Sequence, residues 1–373
     1  MTTEARNAAA DRTAARPAAG AGSPVRSHTE WDPLEEVIVG IVDGASFPPW
    51  HRALPPVVPA EQHATFAREA GRPFPAERIE AARRELEEFA RILRAEGVTV
   101  RRPEPIPQRR PYATLDWTST GMYAAMPRDA LLVVGEEIIE CPMAWRSRYY
   151  EALAYRPLLK EYFRGGARWS AGPKPELTDE QYDPEWTEPG PDGPVRTVVT
   201  EFEPTFDAAD FIRCGRDIIA QRSHVTNAFG IEWLRRQLGD DYRIHVLEFA
   251  DPHPMHIDAT LIPLAPGKLL IHPERVPKVP ELFKGWDVMS APRPIIPDSH
   301  PLYLTSKWIN MNVLMLDEER VVVERQDEPM IKALRNFGFT PIPCDFRNFN
   351  SFGGSFHCAT LDVRRRGSLQ TYF

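Results

Sequence analysis

Short apolar runs separated by polar turns recur along the chain from Glu30 onward, and their spacing sets the first expectations. The run Glu36-Val37-Ile38-Val39-Gly40, entered through Glu30-Trp31-Asp32-Pro33-Leu34, predicts a buried strand. Over residues 76–95, Ile79, Ala82, Leu86, Phe89 and Leu93 recur at steps of three and four, so they line one face of an amphipathic helix. Gly97 accepts the left-handed backbone that closes a last helical turn, and Val98-Thr99-Val100 predicts the next strand.

The same order of two strands, a helix and a third strand then returns with divergent sequence. Residues 131–134, a turn at Gly135-Glu136, residues 138–141 and a helix over 146–163 form a second unit. Residues 211–212, a turn at Gly215-Arg216, residues 218–219, a helix over 226–238 and residues 242–249 form a third. The fourth has residues 259–264, a turn at Pro266-Gly267, residues 269–272 and a short helix at 280–283. The fifth has residues 312–316, a turn at Asp317-Glu318, residues 320–324, a helix over 328–337 and residues 339–343. The last apolar run, 358–363, is expected to pair back with the first unit. Each unit exposes an apolar sheet face that needs a neighbour, so a ring of about five α/β units is the economical arrangement. Side chains from different units then converge on its axis.

Two segments fall outside this pattern. Residues 1–28, rich in Ala, Arg, Thr and Pro, hold too little apolar surface to offset their ordering entropy, so a disordered tail is expected and 29–373 forms a single domain. Glu4, Asp11 and the prolines argue against reading the tail as an amphipathic transit peptide. Residues 172–194, with Pro173, Pro175, Pro184, Pro189, Pro191 and Pro194, read as an insertion or long surface loop.

At 373 residues and 42% hydrophobic content the chain can bury a large core. A net charge of -8 gives no nucleic-acid footprint and suits a cationic small substrate. No stretch approaches the ~20 apolar residues of a membrane span. The irregular spacing of 4 cysteines offers neither a disulfide framework nor a CxxC pair, which points to free thiols in a reducing, cytoplasmic compartment and to no metal.

Cys141, Cys214 and Cys344 lie within or beside apolar runs and read as small buried hydrophobes. Cys358 differs, because Gly353 and Gly354 allow a close backbone approach just before it. With the isolated Met255-His256-Ile257-Asp258 it forms a candidate nucleophile and acid/base pair. Carboxylates are close at hand in the sequence: Asp258, on the same side as His256 if that segment is extended, Asp207 and Asp210 flanking Ala208-Ala209, and Asp116 beside Trp117. Acids around a thiol raise its pKa and weaken it unless the substrate itself is cationic, and a guanidinium meets that condition. Taken singly, each residue also has a structural explanation as a core histidine or a turn carboxylate. His357 would point away from the thiol in an extended segment. Arg83-Arg84 read as a solvated face, and Arg364-Arg365-Arg366 as surface or ion-pair residues.

The segments Phe206-Asp207-Ala208-Ala209-Asp210, Pro254-Met255-His256-Ile257-Asp258 and Gly353-Gly354-Ser355-Phe356-His357-Cys358 resemble, in order and spacing, those of the glycine amidinotransferase family. The resemblance runs from about residue 30 to 373 and takes in Ser119-Thr120-Gly121-Met122-Tyr123, Ala144-Trp145-Arg146-Ser147-Arg148 and Gln221-Arg222-Ser223. It implies a five-bladed α/β propeller of pseudo-fivefold symmetry with its active site on the central axis, and transfer of the amidino group from L-arginine to an amine. By the same resemblance Cys358 is the nucleophile, His256 the general acid/base and Asp207 the carboxylate that orients it. Asp116 and Asp258 would grip the guanidinium. Arg275 would bind the amino-acid carboxylate, with Thr305 and Ser306 as a polar pair at that end; the family more often has Ser at the first, and Thr305 keeps the hydroxyl. Met255 belongs to the same substrate-binding set. Glycine, giving guanidinoacetate, is the acceptor implied, with lysine or an aminocyclitol phosphate as alternatives, and His253, Trp117 and the loop near Phe352 as possible selectors. No cofactor, metal, nucleic acid or membrane is implied, and a homodimer is usual. An arginine deiminase-like hydrolase and a non-catalytic arginine-binding protein stay open as other readings.

Overall fold

The computed structural model describes residues 22–190 and 195–373. Most of the described strands fall into five three-stranded sheets of one topology, in which two antiparallel neighbours are followed by a parallel one. Leu131–Val134, Glu137–Glu140 and Arg168–Ala171 make one sheet, and Phe211–Cys214, Asp217–Ala220 and Arg243–Val246 the next. Leu261–Ala265, Lys268–Ile271 and Asp287–Ser290 follow, then Leu314–Met315, Arg320–Glu324 and Thr340–Cys344. The last strand, Thr360–Arg365, pairs antiparallel with Leu34–Val39, which pairs in parallel with Thr99–Arg101. The two ends of the chain therefore share one sheet, as the pairing of the final apolar run with the first unit requires. A parallel third strand needs a crossover. Helices Ala76–Ala95, Arg156–Arg164, Ala228–Leu238 and Glu328–Asn336 supply it in four units and the 3-10 turn Glu281–Phe283 in the fifth.

Local chemistry sets the helix bounds. Asn227 accepts from the Gly230 N–H and Asp327 from the Met330 N–H, so the third unit's helix starts after its cap at Ala228, two residues later than expected, and the fifth unit's after its cap at Glu328, as expected. The helix expected over 146–163 is instead two 3-10 turns, Arg146–Arg148 and Glu151–Ala154, followed by Arg156–Arg164. Pro157 has no N–H to give to a preceding turn, so it opens a helix rather than continuing one.

One expectation is corrected and another is narrowed to one of its two alternatives. Residues 22–28 do not behave as a tail: Val25 and Ser27 are fully buried, Arg26 N–H donates to Val363 O and Ser27 N–H to Gly135 O. These backbone pairings stabilise a segment whose own side chains carry little apolar surface. Residues 1–21 of the expected tail, and 191–194 of the proline-rich stretch, lie outside the described residues. Arg365 is an ion-pair residue but not a surface one, since it is 1% exposed and donates to Asp362, Asp32 O and Met315 O. It closes a buried cluster in which Arg128 and Arg213 both donate to Glu30 and Asp362. Among the described residues no helix is long and apolar enough to cross a membrane.

Candidate active site

Cys358 sits in a turn just before strand Thr360–Arg365, not within the strand. The Asn312 side chain fixes that turn, its Oδ1 accepting from the N–H of Ser355 at 3.2 Å and of Cys358 at 3.0 Å. The approach is as tight as the two glycines imply. Gly353 has φ +101°, and a Cβ on Gly354 would meet the Cβ of Cys358 at 2.7 Å and Met126 Sδ at 2.5 Å. Because the segment is turned rather than extended, the alternation that would send His357 to the opposite face does not apply. His357 still misses the thiol, but its Nδ1 lies 2.7 Å from Asp258 Oδ2 and its Nε2 3.2 Å from Glu30 Oε2.

His256 has φ 59° and ψ 109°, a backbone region that a residue with a Cβ adopts only where its surroundings hold it. Immediately after it the chain enters the 3-10 turn Ile257–Ala259, so His256 and Asp258 do not share an extended segment, yet both reach the thiol. Cys358 Sγ donates to Asp258 Oδ2 at 3.4 Å, and His256 Nε2 lies 3.1 Å from Asp207 Oδ2. Asp207 is itself anchored at its N–H by Thr226 Oγ1. Asp210, the other acid of that sequence, accepts from Gln221, Ser223 and Thr226, which leaves it to the framework.

A cavity of about 330 Å³ opens onto this cluster, and Met255, His256, Asp258, Arg275, Thr305, Ser306 and Cys358 all line it. Arg275 is held ready there, its Nε 3.1 Å from Asp251 Oδ2 and its Nη1 donating to Thr260 Oγ1 at 3.2 Å. His253, one of the possible selectors, also lines the cavity, where its Nε2 lies 2.7 Å from Glu188 Oε1.

Asp116 does not join the others. It occupies an exposed turn in which its own N–H bonds the Thr114 hydroxyl, and it is absent from the cavity lining. The further acid beside His256 is Asp129, 2% exposed and likewise outside the cavity lining, whose Oδ1 lies 3.7 Å from His256 Nδ1. Arg148 fixes Asp129 by donating to its Oδ2 at 2.8 Å while also gripping Glu151. Sequence reasoning missed Asp129 and Arg148. The available signal was the charged pair Arg128-Asp129 inside the apolar stretch 122–134, where unsolvated charges require partners.

The electrostatics follow from burial among acids. Burial and then the Asp258 carboxylate push the Cys358 thiol up to about 12. Burial works against charge on His256, but Asp129 and the hydrogen bonds to Asp207 and Cys358 outweigh it and hold its pKa well above the ordinary value. Burial would raise Asp258, but its hydrogen bond from His357 brings it below the usual carboxylate range. These shifts favour a neutral thiol beside a protonated imidazole. Three buried carboxylate oxygens at the cluster, Asp129 Oδ1, Asp207 Oδ1 and Asp258 Oδ1, have no hydrogen-bond partner. The ligand atoms of Asp129, His256 and Cys358 lie within 4.8 Å of one another, close enough for a metal ion in principle, and they coincide with the candidate nucleophile and acid/base.

No family model matches the chain. It is 71% identical over 350 residues to an L-arginine:L-lysine amidinotransferase of Pseudomonas savastanoi pv. phaseolicola, covering 94% of this chain and 97% of that one. With a mitochondrial glycine amidinotransferase of Danio rerio it shares 51% over 365 residues, 94% of this chain and 85% of the relative. Among solved structures it is similar to SxtG, an amidinotransferase from Microseira wollei in the saxitoxin biosynthetic pathway. The identity is 55%, the TM-score 0.91, and the match covers 94% of this chain and 100% of the other.

Proposed function

The chain belongs to the amidinotransferase family, and we propose that it carries the amidino group of L-arginine, through Cys358, to the side-chain amine of L-lysine. One observation carries the donor half: buried, unpartnered oxygens of Asp129 and Asp258 stand beside a nucleophilic sulfur. Buried acceptors of that kind are costly when unfilled, and a planar cation with several N–H donors fills them. In this reading Asp129 does the work first expected of Asp116.

The reaction follows from those placements. With the guanidinium seated between Asp129 and Asp258, its positive charge offsets the acids that otherwise keep the thiol protonated. Sulfur attacks the guanidinium carbon, His256 delivers a proton to the departing amine, and the thiol proton replaces the one His256 gave. Ornithine leaves and the amidino group stays on Cys358 as a cationic thioether. The acceptor amine then enters and attacks the same carbon; His256 gives its proton to the departing sulfur and takes one from the acceptor nitrogen, which restores the resting thiol and imidazolium. Arg275, Thr305 and Ser306 would hold the amino-acid end of each substrate in turn.

Lysine is favoured as acceptor by the 71% relative, against 50–51% for the glycine-named ones. Chemistry supports the same choice: lysine is ornithine with one more methylene, so it can occupy the space ornithine vacates. Glycine, implied by the family resemblance, is the second reading. The same resemblance supports five sheets arranged as blades about an axis and a homodimer, for which sedimentation gives a direct test. The deciding experiment is an acceptor screen with amidino-labelled arginine. Homoarginine formation faster than guanidinoacetate formation supports lysine, the reverse order supports glycine, and citrulline as sole product sinks the transferase reading.

A further inference from the structure

We propose that His357 is a positioning residue for this reaction, tying Asp258 to the buried ion cluster so that one carboxylate oxygen is held and the other stays free for the guanidinium. The inference rests on the amidinotransferase reading and concerns a residue that touches neither the sulfur nor the cavity.

The contacts divide Asp258 into two halves. Its Oδ2 faces the His357 Nδ1 at 2.7 Å and the Cys358 thiol at 3.4 Å, whereas its Oδ1 is buried without a partner. A carboxylate with one oxygen committed cannot rotate to satisfy the other, so Oδ1 remains an open acceptor. His357 is itself fixed from two further sides. Its Nε2 meets Glu30, and its carbonyl accepts from Arg128 Nε at 2.8 Å. Glu30 and Asp362 are in turn shared by Arg128 and Arg213, all of them buried. The imidazole between Asp258 and Glu30 therefore transmits the rigidity of that cluster to the substrate-facing acid. An unrestrained Asp258 would turn toward the thiol or take up a proton.

The test compares His357→Asn, whose amide N–H mimics Nδ1, with His357→Ala, which donates nothing. Losing a hydrogen bond to a buried charge should lower kcat/KM for arginine about 10- to 150-fold in the alanine variant. The asparagine variant should recover most of it. The acid limb of the pH profile should move to higher pH in the alanine variant, because Asp258 loses the donor that keeps it ionised, and stay near the wild-type position in the asparagine variant. On an Asp258→Asn background, adding His357→Ala should cost less than about threefold more if the histidine acts through Asp258. Equal impairment of both His357 variants with an unmoved acid limb, or multiplicative losses in the double variant, would overturn the proposal. Should the alanine variant not fold, near-wild-type kcat/KM with an unmoved acid limb in the asparagine variant supports the proposal, and a loss in that variant as large as that of Asp258→Asn overturns it. Calorimetry without turnover gives the same comparison: arginine should bind Cys358→Ser/His357→Asn nearly as tightly as Cys358→Ser, and a loss of about tenfold or more in the asparagine double variant would overturn the proposal. Failure of the wild type to form an amidino-Cys358 adduct would count against the transferase reading instead.

Discussion

Replacing Asp258 by asparagine should make Cys358 more reactive toward a simple alkylating agent and less reactive toward arginine. The carboxylate oxygen lies 3.4 Å from the sulfur, and two like charges at that distance repel by about 5 kcal/mol at an effective dielectric constant of about 20. At about 1.4 kcal/mol per unit this sets a ceiling of about 3–4 units on the fall in thiol pKa, of which relaxation and solvent leave about 1–3. Burial, the larger cause of the rise to about 12, stays in place. Each unit raises the thiolate fraction about tenfold while lowering its intrinsic nucleophilicity by about half a logarithm, so alkylation should quicken about 3- to 30-fold. The same substitution removes one of two acids that face the guanidinium, and kcat/KM for arginine should fall at least about 30-fold. The assay is the rate of iodoacetamide labelling at pH 8.5, assigned to the Cys358 peptide by mass spectrometry so that Cys141 does not contribute, beside steady-state transfer from arginine. A folded Asp258→Asn protein whose Cys358 labels no faster than wild type would refute the claim that these acids hold the thiol neutral until a cation arrives.

Four further outcomes follow from the same geometry. Asp129→Asn should lower kcat/KM for arginine at least about 30-fold, whereas Asp116→Asn, at an exposed turn, should leave it within about twofold; steady-state kinetics of the pair decides which acid serves the substrate. Asp207→Asn removes both a hydrogen bond and a charge that, after Asp129, uphold the His256 imidazolium against burial, so its pKa falls. The alkaline limb of ornithine release should then move down by about 1–2 pH units, measured from pH 6 to 10. Arg275→Ala should raise KM for arginine while leaving transfer from agmatine, which lacks the carboxylate, nearly unchanged. Gly354→Ala places a methyl group against Cys358 and Met126, so the free energy of unfolding, read from melting curves, should fall by about 1–3 kcal/mol and adduct formation should slow with it.

Much of this molecule was legible along the chain because the signals are local. A strand announces itself over a few residues, and a helix through one apolar face such as Ile79 to Leu93. Five repeats of such signals determined five sheets of common topology, and the two glycines before Cys358 marked the close approach that the turn requires. The convergence of acids on the thiol was not local. Asp207 and His256 meet across 49 residues and Asp258 and Cys358 across 100, and only the packing of separate sheets decides which carboxylates arrive. Tertiary structure therefore placed Asp129 rather than Asp116 at the site, ordered residues 22–28 through backbone pairing with distant strands, and buried Arg365 in a cluster that its arginine-rich neighbourhood had disguised. The sequence determined which elements form and which sulfur is presented, because both depend on neighbours along the backbone. Charge placement depends on neighbours in space, where burial makes each unpaired group costly enough to select its partners.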